Sequence, residues 1–600
     1  MFYPQQEVPA KSQLFTQEWM GYNHNLRISD GEFWDMGNMT GDEYPVLAPR
    51  KARKKKKTGD APVRGMLVRD GHLLTVVGTS LYVDGDAAVS GFSLPSGKKN
   101  VQFPQYGPEC PCKMVSMGAY VVFFPDKMYF NLLQYLDKSI PTAEVGDRGS
   151  LEAYVNISPT EQNNVTYEMC KRDGTVYTGV QHNAPESPSE GALWLDNGTL
   201  KTWSSGVWSE VPQVYVKISC QNIGENFSQY DGVRIRISES PLGEQDSIPD
   251  NATLETVESG FVVVPGIVTE KRTQISGQLY IDRRAPDMDY VVECGNRLWG
   301  CKYGYDPIRS ASDYFKGPVN EIYACALGDF KNWNQFRGLS TDSYVASRGS
   351  QGPWTGAAAY QGRPIFFKAG CMETVYPSET GAHQIVTSDC RGCLPGSLAV
   401  VDEVLYYCTR REVVAFDGSY PRTVSKALGA LSEAEACAGS LGHKYYLYLR
   451  SRGLMVLDTS TGLWHREDDP GATYFAGDGM SLYFSSGADI WQPEGGGEED
   501  FSWYAETGDI GLGEPGTKYI SRLVLRFRLE VGAWVDVLVS YDSTGIWEHK
   551  GHLRGGCFLR SAALPIIPRR CDHMRIRIEG SGMVRIYSMG KQYEEGSDVF

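Results

Sequence analysis

The chain has 600 residues, a net charge of −15 and a pI near 5.2; it is 41% hydrophobic and 12% aromatic, with 66 glycines and 35 tyrosines. The length suits about three to five domains, and the apolar content can bury sizeable cores. The acidic balance argues against tight duplex binding, which calls for a basic surface, yet suits a conduit that must not hold DNA, because an acidic wall repels phosphate.

Long helix-period stretches are scarce, which with the glycine count points to an all-β chain of many tight turns. The opening Met1-Phe2-Tyr3-Pro4-Gln5-Gln6 lacks the basic and apolar regions of a secretory signal, and no run approaches the ~18 apolar residues of a membrane span. The 14 cysteines are scattered and read as buried thiols of a protein made in a reducing cytosol. In that setting the sequons at Asn156, Asn164 and Asn226 carry no meaning.

Residues 1–62 read as an extended N-terminal arm, punctuated by Asp30-Gly31, Gly41-Asp42 and Tyr44-Pro45. It ends in a basic run: Arg50, Lys51, Arg53, Lys54, Lys55, Lys56 and Lys57, broken only by Ala52. Such a run is either a solvated, poorly ordered loop or an electrostatic contact with DNA or an acidic partner surface. Strands begin at 63, where Met66–Arg69 meets the turn Asp70-Gly71 and His72–Val77 runs out. Leu81-Tyr82-Val83 then meets Asp84-Gly85, and Met114–Ser116, Met117-Gly118 and Ala119–Phe124 repeat the theme, so 63–145 supplies the first blades.

From 146 to 285 the rhythm breaks. Val214–Ile218 and Gly232–Ile237 alternate apolar and polar residues, as in a half-exposed sheet, and Gly260–Pro265 reads as more buried. This is an inserted β-sandwich or barrel, placed where a surface loop tolerates insertion. The rhythm resumes at Tyr290–Glu293, with a turn at Gly295-Asn296. Regular turns follow at Gln361-Gly362, Asp402-Glu403, Gly442-His443 and Asp478-Gly479, and from 361 to 402, 442 and 478 the steps are 41, 40 and 36 residues.

A period of about 40 residues built from strands alone is the sequence signature of a β-propeller. Turns at 70, 118, 295, 361, 402, 442 and 478 give about seven blades, the later ones spanning 286–497, and early strands are candidates to close the ring by pairing with late ones. After the linker Gly495–Asp500, residues 498–600 read as a C-terminal β-sandwich: Ser521–Leu529, Trp534–Val539 and Met574–Ile578 alternate as one-face-buried antiparallel strands.

Motifs that could carry chemistry are few. Cys390-Arg391-Gly392-Cys393 has CxxC spacing, but a zinc site needs a second pair or nearby histidines, so these read as loop or core thiols, as do Cys110 and Cys112. The hairpin Asp542-Ser543-Thr544-Gly545-Ile546-Trp547 resembles the Asp-box of sialidase-like propellers with one extra residue, and Asp458–Trp464 is a related hairpin. In both, Asp caps the turn, Gly takes positive φ and Trp packs on the hairpin. Trp203, Trp208 and Trp354 are candidates for sugar stacking or for turn and core packing. Glycoside hydrolysis needs two facing carboxylates, and none of the 73 acids can be nominated. Neither P-loop, Rossmann glycines, HExxH nor GxSxG occurs, and no metal site or cofactor is expected.

Gly31–Asn38 leading to Tyr44–Arg50 resembles the opening of bacteriophage tail nozzle (tail hub, tail tubular) proteins. Gly328-Asp329-Phe330-Lys331-Asn332-Trp333-Asn334-Gln335-Phe336 resembles a segment of such phage propellers, as do Pro364–Lys368 and Val413–Gly418. The resemblance implies a virion structural protein, not an enzyme, assembled in the host cytoplasm into the tail. Its subunits would form a homo-oligomeric ring, often a hexamer, around the DNA-ejection channel. They would join a portal or adaptor to tail fibre or tip proteins and contact the host surface. A receptor- or glycan-binding tail-tip propeller is the alternative reading, and a glycoside hydrolase a further one.

Overall fold

Strand-forming residues dominate, as short continuous apolar runs in the blades and as period-two alternation in the sandwiches, broken by turns many of which hold positive φ. The computed structural model describes residues 11–59, 61–89, 110–137, 148–304, 318–498, 501–513, 516–567 and 569–595. Met1–Gln6 and the linker residues Glu499 and Asp500 lie outside them. The chain is all-β: propeller blades, an inserted β-sandwich and a C-terminal β-sandwich. No described helix is long and apolar enough to cross a membrane.

Seven four-stranded antiparallel blades occur among the described residues. Each turn of the sequence-derived series is the first hairpin of one blade: the registers close at Arg69↔His72, Met117↔Tyr120, Glu293↔Leu298, Tyr360↔Arg363, Val401↔Val404, Leu441↔Lys444 and Gly477↔Leu482. Asp402 and Glu403 both hold positive φ, +47° and +62°, the twist a tight hairpin imposes.

The strands fall into two compact units. One holds the blade of Val63–Val89, those of Ala399–Thr423 and Ala436–Arg466, a blade running Ala472–Gln492, and the C-terminal sandwich. In it the first strands Ala399–Val401, Ala436–Leu441, Ala472–Gly477 and Val63–Arg69 lie successively side by side. The other unit holds the blades Lys113–Ser150, Tyr290–Ser347 and Trp354–Asp389 and the insertion. The second blade thus extends a few residues past the boundary expected at 145, through its last strand Arg148–Ser150.

The insertion packs a four-stranded sheet, Ala153–Ile157, Gln278–Arg283, Gly232–Ser238 and Asn251–Thr253, on a five-stranded one built around Val165–Cys170 and Tyr215–Ser219. Val165, Tyr167, Val216, Ile218, Val233, Ile235, Leu279 and Ile281 form its shared core. The segment Gly328–Phe336 joins it to the third blade: Asn332 is buried, accepts from the Gly232 amide at 2.8 Å and donates to the Tyr230 carbonyl at 3.1 Å. Phe330 and Trp333 fill the blade core beside it.

The N-terminal residues differ from the expected arm, being built into two other sheets. Strand β1 (Lys11–Thr16) pairs with the last strand of the chain, β2 (Phe33–Gly37) joins the C-terminal sandwich, and β3 (Lys54–Thr58) is the fourth strand of the Ala472–Gln492 blade. The physical reason is pairing demand: each edge gains a backbone ladder and the arm's apolar residues gain a core. Trp19, Phe33, Met36 and Leu47 are buried there, and the Trp19 indole donates to the Ile586 carbonyl at 2.8 Å.

The sandwich strands are β4 (Ser502–Thr507), β5 (Lys518–Tyr541), β6 (Glu548–Leu564), β7 (Met574–Ser581) and β8 (Val584–Glu595). The runs expected at 521–529 and 534–539 are halves of the single strand β5. Its first half pairs with β8, its second with β7, and both with β6. Leu523, Leu525, Phe527, Leu529, Val535, Val537 and Val539 alternate inward, while Arg522, Arg526 and Arg528 point out.

Candidate functional site

The basic run is the one feature the sequence singles out as a site, and its local structure follows from its neighbours. Lysines are poor strand residues on their own, but β3 lies against Asp489–Gln492, with Thr58 opposite Asp489, Lys57 opposite Ile490, Lys55 opposite Trp491 and Lys54 opposite Gln492. Lys55 pairs with Asp489 at 2.8 Å and lies over Trp491. Lys57 sits 3.5 Å above the Tyr82 ring and donates to the Gly85 carbonyl at 3.1 Å. Lys56 lies over Tyr483, and Lys54 is exposed. The run is an ordered strand at these positions, which corrects the reading of it as a poorly ordered loop.

The two arginines are buried. Arg50 grips Glu498 through two nitrogens at 2.7 and 3.1 Å, donates to Asn38 at 2.8 Å and stacks 4.0 Å from the Phe501 ring. Arg53 donates to Glu467 at 2.7 Å and to both oxygens of Asp468 at 2.5 and 2.8 Å. Burial works against the Arg53 charge, but Glu467 and Asp468 outweigh it and hold its pKa above the ordinary arginine value. Burial likewise pushes the Glu498 pKa up, but the Arg50 hydrogen bond and the Arg53 amide prevail and hold it below the usual range. Six of the seven predicted contact residues, all but Lys54, therefore meet acids or aromatic rings of their own chain.

Lys51 opens onto a cleft of about 730 Å³ beside the blade turns, lined also by Asp42, His443, Lys444, Asp458, Met480 and Glu494. Four of these close a ring of alternating charge: Lys51 to Glu494 at 2.8 Å, Glu494 to Lys444 at 3.5 Å, Lys444 to Asp42 in close contact, and Asp42 to Lys51 at 3.7 Å. Burial raises the Asp42 pKa, but Lys444 and Lys51 bring it below the usual carboxylate value. The cleft thus presents side chains of alternating charge, an arrangement suited to fixing blade and N-terminal segment together.

The remaining candidates separate. Cys393 and Cys112 are buried, and Cys390 and Cys110 are half-buried. Asp458 caps its turn by accepting from the Ser460 amide at 2.9 Å, Gly462 holds φ +73° and Trp464 is buried, as that hairpin requires. Asp542 instead accepts from the Asp572 amide at 2.7 Å, across to the approach to β7. Trp354 is a core residue under Lys368, whose ammonium lies 4.0 Å from its ring. Trp203 and Trp208 are directly opposed across a hairpin, packing edge to face at 5.3 Å, and Trp194 adds a third ring 5.4 Å from Trp208. Among the described residues no group of three or more His, Cys, Asp or Glu is placed to hold a metal ion. The acids that neutralise the run, at 467, 468, 489, 494 and 498, lie more than 400 residues away in sequence, and only the pairing of early with late strands hinted at them.

No protein-family model matches the chain, and no curated protein matches it. Among solved structures, BamB from Moraxella catarrhalis is similar at 9% identity over 74% of this chain and 99% of its own, with a TM-score of 0.30. PorZ from Porphyromonas gingivalis, a surface component of the type IX secretion system, is similar at 10% identity over 90% of this chain and 71% of its own, TM-score 0.16. A glycoside hydrolase family 43 arabinoxylan arabinofuranohydrolase from Bacillus subtilis is similar at 7% identity over 67% of this chain and 94% of its own, TM-score 0.15. At these scores the likenesses carry no argument about function.

Proposed function

We propose that this chain is a structural protein of a bacteriophage tail, a nozzle or hub subunit that assembles with copies of itself into a ring around the DNA-ejection channel and joins an adaptor to tail fibres. The observation that carries the reading is the fate of the basic run. Arg50, Lys51, Arg53 and Lys55 are neutralised by Glu498, Glu494, Asp468, Glu467 and Asp489 of the same chain. The densest cationic segment of an acidic protein thereby holds the N-terminal segment to the blade at 472–492 and its flanks. A conduit gains from that arrangement, because polyanionic DNA must slide past without being held. The resemblance of Gly31–Arg50 and Gly328–Phe336 to nozzle segments supports the same reading.

Sedimentation of the purified protein, with and without duplex DNA, tests it. The expected result is a discrete multimer, formed alone or on an adaptor, with weak DNA affinity at 150 mM salt. A monomer under all conditions that binds duplex tightly contradicts it.

A second reading, a receptor- or glycan-binding tail tip, draws on the Trp194, Trp203 and Trp208 cluster, half-buried on one face of a small sheet beside Lys201 and Asp196. Glycan-array binding that disappears in a Trp203→Ala/Trp208→Ala protein would favour it.

A further inference from the structure

The C-terminal sandwich carries a surface opposite in charge to the chain as a whole. Strand β6 is hydrogen-bonded to β5 along one side, and among the described residues no strand pairs with its other side, leaving a 17-residue edge of backbone donors and acceptors. Midway, the register slips from Phe527↔Arg560 to Leu529↔Gly556 and again to Trp534↔Arg554. The slips make two neighbouring bulges on either side of the Leu529–Gly556 pair, one within 530–533 on β5 and one within 557–559 on β6. They present Val531, Phe558 and Leu559, which are 86%, 78% and 58% exposed.

Arg528, Arg554 and Arg560 border this apolar knob, are exposed, and enter no ion pair among the described residues. Residues 518–570 hold nine Lys or Arg against four Asp or Glu, a net +5 in a chain of −15. The inserted sandwich, 153–283, holds nine against 17, a net −8.

Charged side chains alone are the ordinary protection of a free edge. They do not account for three large apolar side chains raised at its kink, each exposed at a cost that burial would recover. An aromatic and aliphatic centre rimmed by arginines has the composition of an interface core. Nucleic acid would satisfy the arginines and leave the knob wet. Pairing of β6 with β6 of another copy would bring +5 against +5. A protein surface that is acidic and also exposes apolar side chains satisfies both, and the inserted sandwich, on which Tyr154, Val207 and Ile275 are exposed, supplies one.

We propose that the β5–β6 hairpin docks, through the free β6 edge and Phe558 and Leu559, on the acidic inserted sandwich of a second copy of this chain. The contact is heterologous, and it repeats into a ring where the rotation closes. It deepens the ring reading of the proposed function and rests on it for the closure.

The test uses the full chain with a benzophenone amino acid at position 558, mixed from ¹⁴N and ¹⁵N cultures and irradiated. The proposal expects mixed-isotope cross-links from 558 to peptides within 153–283. Their yield should fall about tenfold in an Arg528→Glu/Arg554→Glu/Arg560→Glu protein and fall with added salt, as for a charge-steered contact. Should that triple variant fail to fold, the salt series on the parent chain decides. Cross-links confined to one isotope, to position 558 of another copy, or to duplex DNA included in the mixture overturn it. A multimer lacking the expected cross-links overturns this interface and leaves the ring reading standing, whereas a protein that is monomeric at every concentration overturns both.

Discussion

His443 Nδ1 lies 2.8 Å from Asp402 Oδ1, although 41 residues separate them in sequence. Each sits in the first hairpin of its blade, and the same carboxylate accepts from the Thr459 hydroxyl. At the next blade the Gly442 amide donates to the Gly479 carbonyl at 3.1 Å. The turns at 402, 442 and 478, a period apart along the sequence, thus touch one another in space. The His443–Asp402 pair is exposed, so its contribution is small. A His443→Ala protein should lose less than about 1 kcal/mol in urea unfolding, and a loss of several would mean the turns clamp the blades.

Arg53 should behave differently. It is buried against Glu467, also buried, and Asp468. Arg53→Met orphans a buried carboxylate, which costs about 3–5 kcal/mol, with the low end expected because Arg50 remains 3.8 Å from Glu467. Lys54→Gln, at the exposed neighbouring position, should change stability by no more than about 0.5 kcal/mol. Guanidinium unfolding of both variants compares them directly, and equal effects would contradict the buried clamp.

His465 makes stability depend on pH. Burial lowers its pKa from 6.5 to about 4, only partly offset by Asp458. The folded state therefore refuses a proton that the unfolded chain accepts. Well above pH 6.5 the group contributes nothing to the slope. As pH falls through 6.5 toward 4, stability drops, by up to about 3 kcal/mol in all. His465→Gln removes that contribution, so the stability gap between parent and variant should narrow from pH 7 to pH 4.5. A gap independent of pH would show that the imidazole protonates freely in the fold.

Gly232 marks the joint between insertion and blade. A Cβ there would stand 2.6 Å from the Asn334 carbonyl carbon and the Gln335 amide nitrogen, backbone atoms with little room to yield. Gly232→Ala should cost about 1–3 kcal/mol and increase protease cutting around 230 and 334. Unchanged proteolysis would mean the joint adjusts.

The blades were legible because each repeats a local signal, a short apolar run closed by a tight turn such as Asp-Gly at 70, Gln-Gly at 361 or Asp-Glu at 402, with positive φ. The inserted and terminal sandwiches were legible for the same reason, as at Gly232–Ile237 and Ser521–Leu529. What the sequence concealed is non-local. Nothing near Lys54–Thr58 announces a strand, since its partner, Asp489–Gln492, is over 400 residues away. Arg50 and Arg53 read as solvated because their acids are equally distant. That Lys518–Tyr541 is a single strand depends on two neighbouring bulges, one on each strand of the hairpin, which pairing creates and composition does not show.

Electron microscopy of the purified full-length protein tests the central claim most directly. The account predicts end-on views of a closed ring with an axial opening wide enough for duplex DNA. Isolated monomers at every concentration, or compact oligomers without an axial opening, would contradict it.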